Sequence, residues 1–456
     1  METTASSDAD GNRPGTASES APSSPAPDVF VATCDLAGQV RGRGAPAAAH
    51  EGTLRSGTGW VPANLALTAF GEISPGDVFG SQGDLRLMPD VATGLTLPAD
   101  GERPGLQVYL ADQTLPDGSP WACCPRTFLR QTLADLREQT GLSVVASFEH
   151  EFVLDGLPAS APFSLRRHRD AGRFGSDLLR LLAGCGLAPE TWLPEYGKQQ
   201  FEITLRPSDG LVAADRAVYL REIVRDLALR RGLSASFAPI QQADGTGSGV
   251  HVHLSFVDED GRPVLFDAAR PGRLSETGTR FAAGVLRHAR ALTALTAPSP
   301  VSFLRLTPHR WSVGGVFLAE CNREALLRIC PTSTVVGADP AGQFNLEFRA
   351  ADATANPWLT LAVLLRAGLA GLTGSTQDYP EPTVWSAESD ESELADVPPL
   401  PTSLPEALRA LAEDEVARDW FDPHLLATHF AVKEHELDHL AGLSESERVR
   451  RVADVY

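Results

Sequence analysis

The chain has 456 residues, 43% of them apolar, and a formal net charge of −20, enough length to bury one large core or two unequal ones. The acidic balance excludes a nucleic-acid partner, whose phosphates demand clustered Lys and Arg, and disfavours an anionic membrane surface. Among the basic residues only Lys198 and Lys433 are lysines, and Gln199 and Glu434 follow them, so the Gly-Lys-Ser/Thr of a Walker A loop is absent.

The six cysteines (Cys34, Cys123, Cys124, Cys185, Cys321, Cys330) show no C-x-x-C spacing. No secretory leader opens the chain and no charge-free run of membrane-spanning length occurs, so no membrane and a reduced, cytoplasmic setting are expected.

Residues 1–27 are Ser, Ala, Pro, Gly and Asp with almost no large apolar side chain, the composition of a disordered tail. A first strand is expected at Val29-Phe30-Val31-Ala32-Thr33, entering a turn at Asp35 to Gly38. From there to about Asp112, short apolar runs alternate with Gly/Pro turns, the pattern of a small, mainly β domain over 28–112. The rest, 113–456, reads as one larger domain. After Asp117-Gly118-Ser119-Pro120 comes a helix carrying Phe128, Leu129, Leu133 and Leu136, then a strand over 143–154. Helices and strands alternate to about 373, an acidic loop occupies Glu388 to Asp396, and Leu404, Leu408 and Leu411 mark a helical C-terminal part.

Four predicted strands carry unusual polar faces. Residues two apart on a strand share a face and lie about 7 Å apart. Glu149 and Glu151 share one face of Ser147–Leu154, opposite Phe148, His150, Phe152 and Leu154. Gln200, Glu202, Thr204 and Arg206 oppose Phe201, Ile203 and Leu205. His251, His253 and Ser255 oppose four apolar residues, and Asn345, Glu347 and Arg349 oppose Phe344, Leu346 and Phe348. A solvent-facing sheet usually carries Thr, Lys and mixed charge; Glu, His, Gln, Asn and Arg dominate here. Converging carboxylates cost several kcal/mol per charge unless cations offset them. Ligation dominated by carboxylates with one imidazole suits Mg²⁺ or Mn²⁺ better than Zn²⁺. Arg305, Arg323, Arg328 and Arg349 fall in or just before the last of these strands and point to anion binding.

The ordered motifs FEHEF, EYGKQQFE, GSGVHVHLS, RLTP…NREALLR and LEFRAAD…NPW resemble the glutamine synthetase family, more particularly its gamma-glutamyl-amine synthetase branch. The resemblance covers about residues 29–456. It implies an α+β fold: an N-terminal β-grasp domain and a catalytic domain whose curved antiparallel sheet forms a funnel-shaped site. It also implies a homo-oligomeric ring, commonly a dodecamer, with active sites between subunits. Carried over residue by residue, it makes Glu151, Glu195 and Glu202 ligands of a first metal, and Glu149, His251 and Glu347 ligands of a second. Two or three Mg²⁺ or Mn²⁺ ions and ATP are the implied cofactors and co-substrate. His253 and Ser255 would contact ATP, with Arg328 near its phosphates. Gly247 and Arg305 would hold the amino acid substrate; Arg323 and Arg349 would hold the reacting carboxylate or its phosphate. The implied reaction activates the γ-carboxylate of glutamate as an acyl phosphate, which an amine then displaces.

Two departures concern the amine. Trp311 stands where the family carries a proton-accepting glutamate, and Trp60-Val61-Pro62-Ala63-Asn64-Leu65 contains no acid where an ammonium-binding aspartate is usual. Thr246 and Asn345 replace a usual asparagine and arginine. Without both acids a small cation loses its electrostatic trap, whereas Trp311 offers an apolar face to a larger amine. An organic amine, such as a polyamine, ethanolamine or a hydrophobic monoamine, is therefore the expected second substrate. The competing readings are an ordinary ammonia-using glutamine synthetase, a non-catalytic ATP- or glutamate-binding homologue, and a metal-dependent hydrolase.

Overall fold

The structure, a computed structural model, describes residues 26–456 apart from Asp77, Glu102, His309, Trp311 and residues 387–396. Residues 1–25 of the expected tail, the acidic loop and Trp311 thus lie outside the described residues.

The N-terminal part builds one sheet from β1 (Asp28–Cys34), β2 (Val40–Ala45), β3 (Thr58–Trp60), β4 (Leu85–Pro89), β5 (Leu95–Leu97) and β6 (Leu106–Thr114). The order is β2-β1-β6-β4-β3, with β5 also paired to β6; β1 and β6 run parallel and the other pairs antiparallel. The expected first turn forms because Asp35 Oδ1 accepts from the amides of Ala37 (2.9 Å) and Gln39 (2.8 Å), and Gly38 supplies a φ of +70°.

The larger sheet contains β7 (Ser143–Asp155), β8 (Pro189–Pro194), β9 (Gln200–Leu205), β10 (Ser208–Asp209), β11 (Ser234–Ser236) and β12 (Val250–Val257). It continues with β13 (Gly315–Glu320), β14 (Ala325–Ile329), β15 (Leu346–Phe348) and β16 (Val384–Trp385). Its order is β16-β13-β14-β15-β12-β7-β9-β8, with β10 and β11 on the flanks of β7. The pairs are antiparallel except for β13 with β14 and β16, so the sheet is mixed. The architecture is α+β.

One face of this sheet is apolar. Phe148, Phe152, Phe201, Ile203, Val252, Leu254 and Phe348 are buried there in a single core shared with the helices Gly210–Arg230, Glu276–Thr296 and Pro357–Thr373. His150 belongs to that face, edge-on to Phe237, and burial pushes it down to about 3, so it is a neutral core imidazole. The helices begin and end where chain chemistry requires. Pro125 opens Pro125–Thr140 at a position whose amide needs no partner, and Gly141 closes it in the left-handed region; Asn356 caps Pro357–Thr373 through the amides of Trp358 and Leu359.

Buried polar ties join the two sheets. Arg126, almost fully buried, donates to Asp215 at 2.9 and 2.8 Å and to Asp112 and Asp90 of the small sheet at 3.0 and 2.8 Å. Asn356 donates to the carbonyls of Cys34 (2.9 Å) and Asp35 (3.1 Å) at the end of β1. With one face sealed by helices, the other face of the large sheet is left for chemistry.

Candidate active site

Strand register assembles the site. β7 lies between β12 and β9, and Glu149 sits opposite His251 while Glu151 sits opposite Glu202. β15 continues the sheet beyond β12, placing Glu347 opposite both His253 and Arg328. Directly opposed residues have Cβ atoms about 5 Å apart, so six carboxylate and imidazole groups meet with no loop needed to deliver them. Glu195, just past β8, is carried by a short connection back to β9, and its own amide donates to the Gln200 carbonyl at 2.8 Å.

Two clusters result. In the first, Glu151, Glu195 and Glu202 bring ligand atoms within 4.8 Å of one another. Backbone amides donate to two of them, Gly249 N to Glu151 at 2.6 Å and Tyr196 N to Glu195 at 2.8 Å, while Glu202 shares a hydrogen bond with Glu149. Burial, then the charges of Glu149, Glu151 and Glu195, push Glu202 up to about 10. Burial likewise pushes Glu151 up to about 7 and raises Glu195. Three acids packed this way form a set of hard oxygen donors, which fits Mg²⁺ or Mn²⁺.

The second cluster is compensated. Glu149, His253 and Glu347 offer ligand atoms within 4.8 Å. His251 is equally close, with Nδ1 at 2.7 Å from Glu149 and 3.5 Å from Glu347, so both imidazoles face these acids. Arg328 donates to Glu347 Oε2 at 2.7 Å and Arg349 donates to Oε1. Burial alone raises Glu347, but His251, Arg349, His253 and Arg328 overcome it and hold the carboxyl at about 2. Glu149 is likewise held well down against its burial by His251 and His253. A divalent ion fits here also, between two ionised carboxylates and an imidazole.

The remaining sequence candidates divide. Arg349 is buried and braced by its Nε bond to the Arg323 carbonyl (2.9 Å), whereas the Arg323 side chain is exposed beside Glu195, whose charge it offsets. Arg305 lies beneath the glycine loop and donates to the carbonyls of Ala350 (2.6 Å) and Ala351 (2.8 Å). A Cβ on Gly247 would stand 2.3 Å from the Arg305 side chain, and one on Gly249 would stand 2.9 Å from its guanidinium. Both positions therefore exclude any side chain. Ser255 lies two residues beyond His253 on the same face of β12. Asn345 Oδ1 accepts from His253 Nδ1 at 2.9 Å.

Three residues at the site have no role in the sequence reading. Gln200 sits on the polar face of β9, and only the structure shows its amide bridging to the Gly247 carbonyl (2.8 Å) and Ser248 Oγ (3.1 Å). Cys330 Sγ lies 3.8 Å from His253 and 3.7 Å from Glu347; spacing gives no hint of it. Arg167 reaches the Glu195 connection from a helix whose pattern marks it as surface.

Comparison with known proteins agrees with this geometry. Residues 18–121 match the glutamine synthetase N-terminal domain and 122–451 match the glutamine synthetase catalytic domain. The chain belongs to the glutamine synthetase family, whose members are ATP- and divalent-metal-dependent ligases. It is 37% identical to the gamma-glutamylpolyamine synthetase GlnA3 of Streptomyces coelicolor over 91% of both chains. It is 29% identical to a glutamate–isopropylamine ligase of a Pseudomonas species over 76% of both. A solved structure described as a novel glutamine synthase homolog superimposes with a TM-score of 0.88 at 42% identity, covering 96% of this chain and all of the other. No described helix is long and apolar enough to cross a membrane.

Proposed function

We propose that this chain joins the γ-carboxylate of glutamate to an organic amine, with cleavage of ATP to ADP and phosphate. The observation that carries this reading is a site with both metal-type clusters assembled and neither ammonium-site acid present, Trp311 and the acid-free Trp60–Leu65 stretch standing in their places. The activities for which the two relatives are named, both amine ligations, support it.

In this reading Glu151, Glu195 and Glu202 hold one divalent ion, and Glu149 and Glu347 with His251 hold another. When bound, these ions set positive charge against phosphate oxygens. Arg323 and Arg349 orient the glutamate γ-carboxylate and the phosphoryl group it receives, Arg328 neutralises the nucleotide phosphates, and His253 and Ser255 line the nucleotide side. Gly247 and Arg305 shape the amino acid pocket. The carboxylate oxygen attacks the terminal phosphorus, ADP leaves, and the amine nitrogen then attacks the acyl carbon and expels phosphate. This is electrostatic positioning with little covalent work by the protein. A tryptophan in the sequence at 311, where a glutamate is usual, cannot accept the proton the amine sheds, and its indole is of a chemistry that favours a carbon-bearing amine over ammonia.

The same reading has a 28–112 domain and a 113–456 catalytic domain, working in the cytoplasm as a dodecameric ring. Sedimentation velocity returning a monomer would remove the ring. The decisive experiment is an amine panel with ATP, Mg²⁺ and glutamate, the amide product identified by mass spectrometry. Polyamines, ethanolamine or monoamines should outpace ammonia; ammonia outpacing all of them overturns the reading.

A further inference from the structure

The helix Leu165–Asp170 is unusual in what it buries. Leu165 is 73% exposed and the preceding Phe163, with a φ of +53°, is 55% exposed. Arg167 is the helix's one buried side chain, at 4% exposure. An apolar face did not place this helix on the protein. Ser164 caps it, accepting from the Arg167 amide at 3.1 Å, and so fixes where Arg167 points.

The guanidinium runs into the connection that carries Glu195. Nη1 donates to the carbonyls of Glu195 and, at 2.7 Å, Gly197, and Nη2 donates to the Ser160 carbonyl. The connection has little apolar anchoring: Tyr196 is 66% exposed and Gln199 adopts a φ of +55°. Gln200 grips it from the other side, its Oε1 accepting from the Gly197 amide at 2.8 Å. Arg167 has no carboxylate within ion-pair distance among the described residues, and Glu195 is the acid its charge acts on. A buried cation satisfied by backbone carbonyls is expensive to keep for stability alone.

We infer that Arg167 is a positioning residue for the first metal site: it fixes the backbone of Glu195 and sets a permanent positive charge behind the Glu151–Glu195–Glu202 cluster. The inference rests on the reading that these three acids hold a divalent ion, and its test needs neither glutamate nor amine. Partners that orient a ligand typically change metal affinity 10- to 100-fold.

The test is Mn²⁺ binding to the full-length protein, followed by the EPR signal of the free ion, for wild type, Arg167→Ala, Arg167→Lys and Glu195→Ala. Glu195→Ala should remove one class of bound Mn²⁺ and so identify the first site. Arg167→Ala should weaken that class roughly 10- to 100-fold and leave the other within twofold of wild type. Arg167→Lys retains the charge but not the fork of donors, and should fall between. Circular dichroism establishes whether Arg167→Ala folds; if it does not, Arg167→Lys decides. Equal weakening of both classes, or none of either, overturns the positioning role. Loss of no Mn²⁺ in Glu195→Ala overturns instead the underlying metal assignment.

Discussion

The two halves of the active-site face carry similar acids in opposite electrostatic states. On the β8–β9 side, Glu151, Glu195 and Glu202 are raised by burial and by neighbouring carboxylates, backbone amides donating to Glu151 and Glu195 while Glu202 shares a hydrogen bond with Glu149. On the β14–β15 side, Glu347 is as deeply buried but lies between Arg328, Arg349 and two imidazoles, and it is held low. The difference shows that burial alone does not decide the charge of a carboxylate; what sits across the next strand does. It also separates two dependences. The first cluster needs a metal to be a stable arrangement of charges, whereas the second is an ion network before any metal arrives.

Opposite responses to neutralising one acid in each half would establish that contrast. The largest effect is expected for Glu347→Gln, which removes the carboxylate charge that Arg328 and Arg349 share. Breaking a buried pair costs about 3–5 kcal/mol, so the metal-free protein should lose about that much stability in urea titration. Ligase activity should fall about 10²- to 10³-fold, since one well-placed charge in transferring chemistry is worth about 3–4 kcal/mol. Glu202→Gln should do the reverse to the metal-free protein, raising its stability by roughly 1–2 kcal/mol through relief of repulsion. Its response to Mg²⁺ should shrink, because binding at 100 times Kd stabilises by about 2.7 kcal/mol only where a site exists. If both variants destabilise the metal-free protein equally, the two halves are not electrostatically distinct.

The polar faces that build both halves were legible in the sequence for a physical reason, whereas the contrast between them was not. Side chains alternate along a strand with a period of two, so Glu149/Glu151, Glu202, His251/His253 and Glu347 announce one polar face each. Their registration across strands is not local information. That Glu347 stands opposite Arg328 on one side and His253 on the other depends on two strand pairings, the second between segments nearly a hundred residues apart. The strand around it also proved shorter than its alternation predicts, Leu346–Phe348, with Asn345 and Arg349 just outside it and free to turn toward His253 and Glu347. Arg167 was illegible for a different reason: three neighbouring basic residues, Arg166, His168 and Arg169, make the segment read as a solvated turn of helix. Its hydrogen bonds go to carbonyls, which every residue possesses, and so leave no mark in composition.

A smaller effect tests the rule behind the comparison at a place with no metal ligands. His253 is raised well above its ordinary value despite burial, because Cys330 and Glu149 favour its charged form. His429 is also buried, but its neighbours are the Ala294 carbonyl at 3.0 Å and the buried Lys433–Glu436 pair, in which the two join at 2.8 Å. Burial and then the Lys433 charge push it down to about 3. The folded value is below the unfolded one of 6.5, so the unfolded chain binds the extra proton first. The stabilisation from keeping this imidazole neutral is complete above pH 6.5 and is lost as pH falls toward 3. From pH 6.5 to about pH 5 it should amount to about 1.5 kcal/mol. His429→Gln retains a donor for the Ala294 carbonyl and cannot titrate, so its urea stability should decline less over that interval, by about this amount. Identical pH slopes for wild type and variant would mean that an unpaired imidazole here titrates as it does in water, and the rule that the facing side chains set the charge would fail at its simplest case.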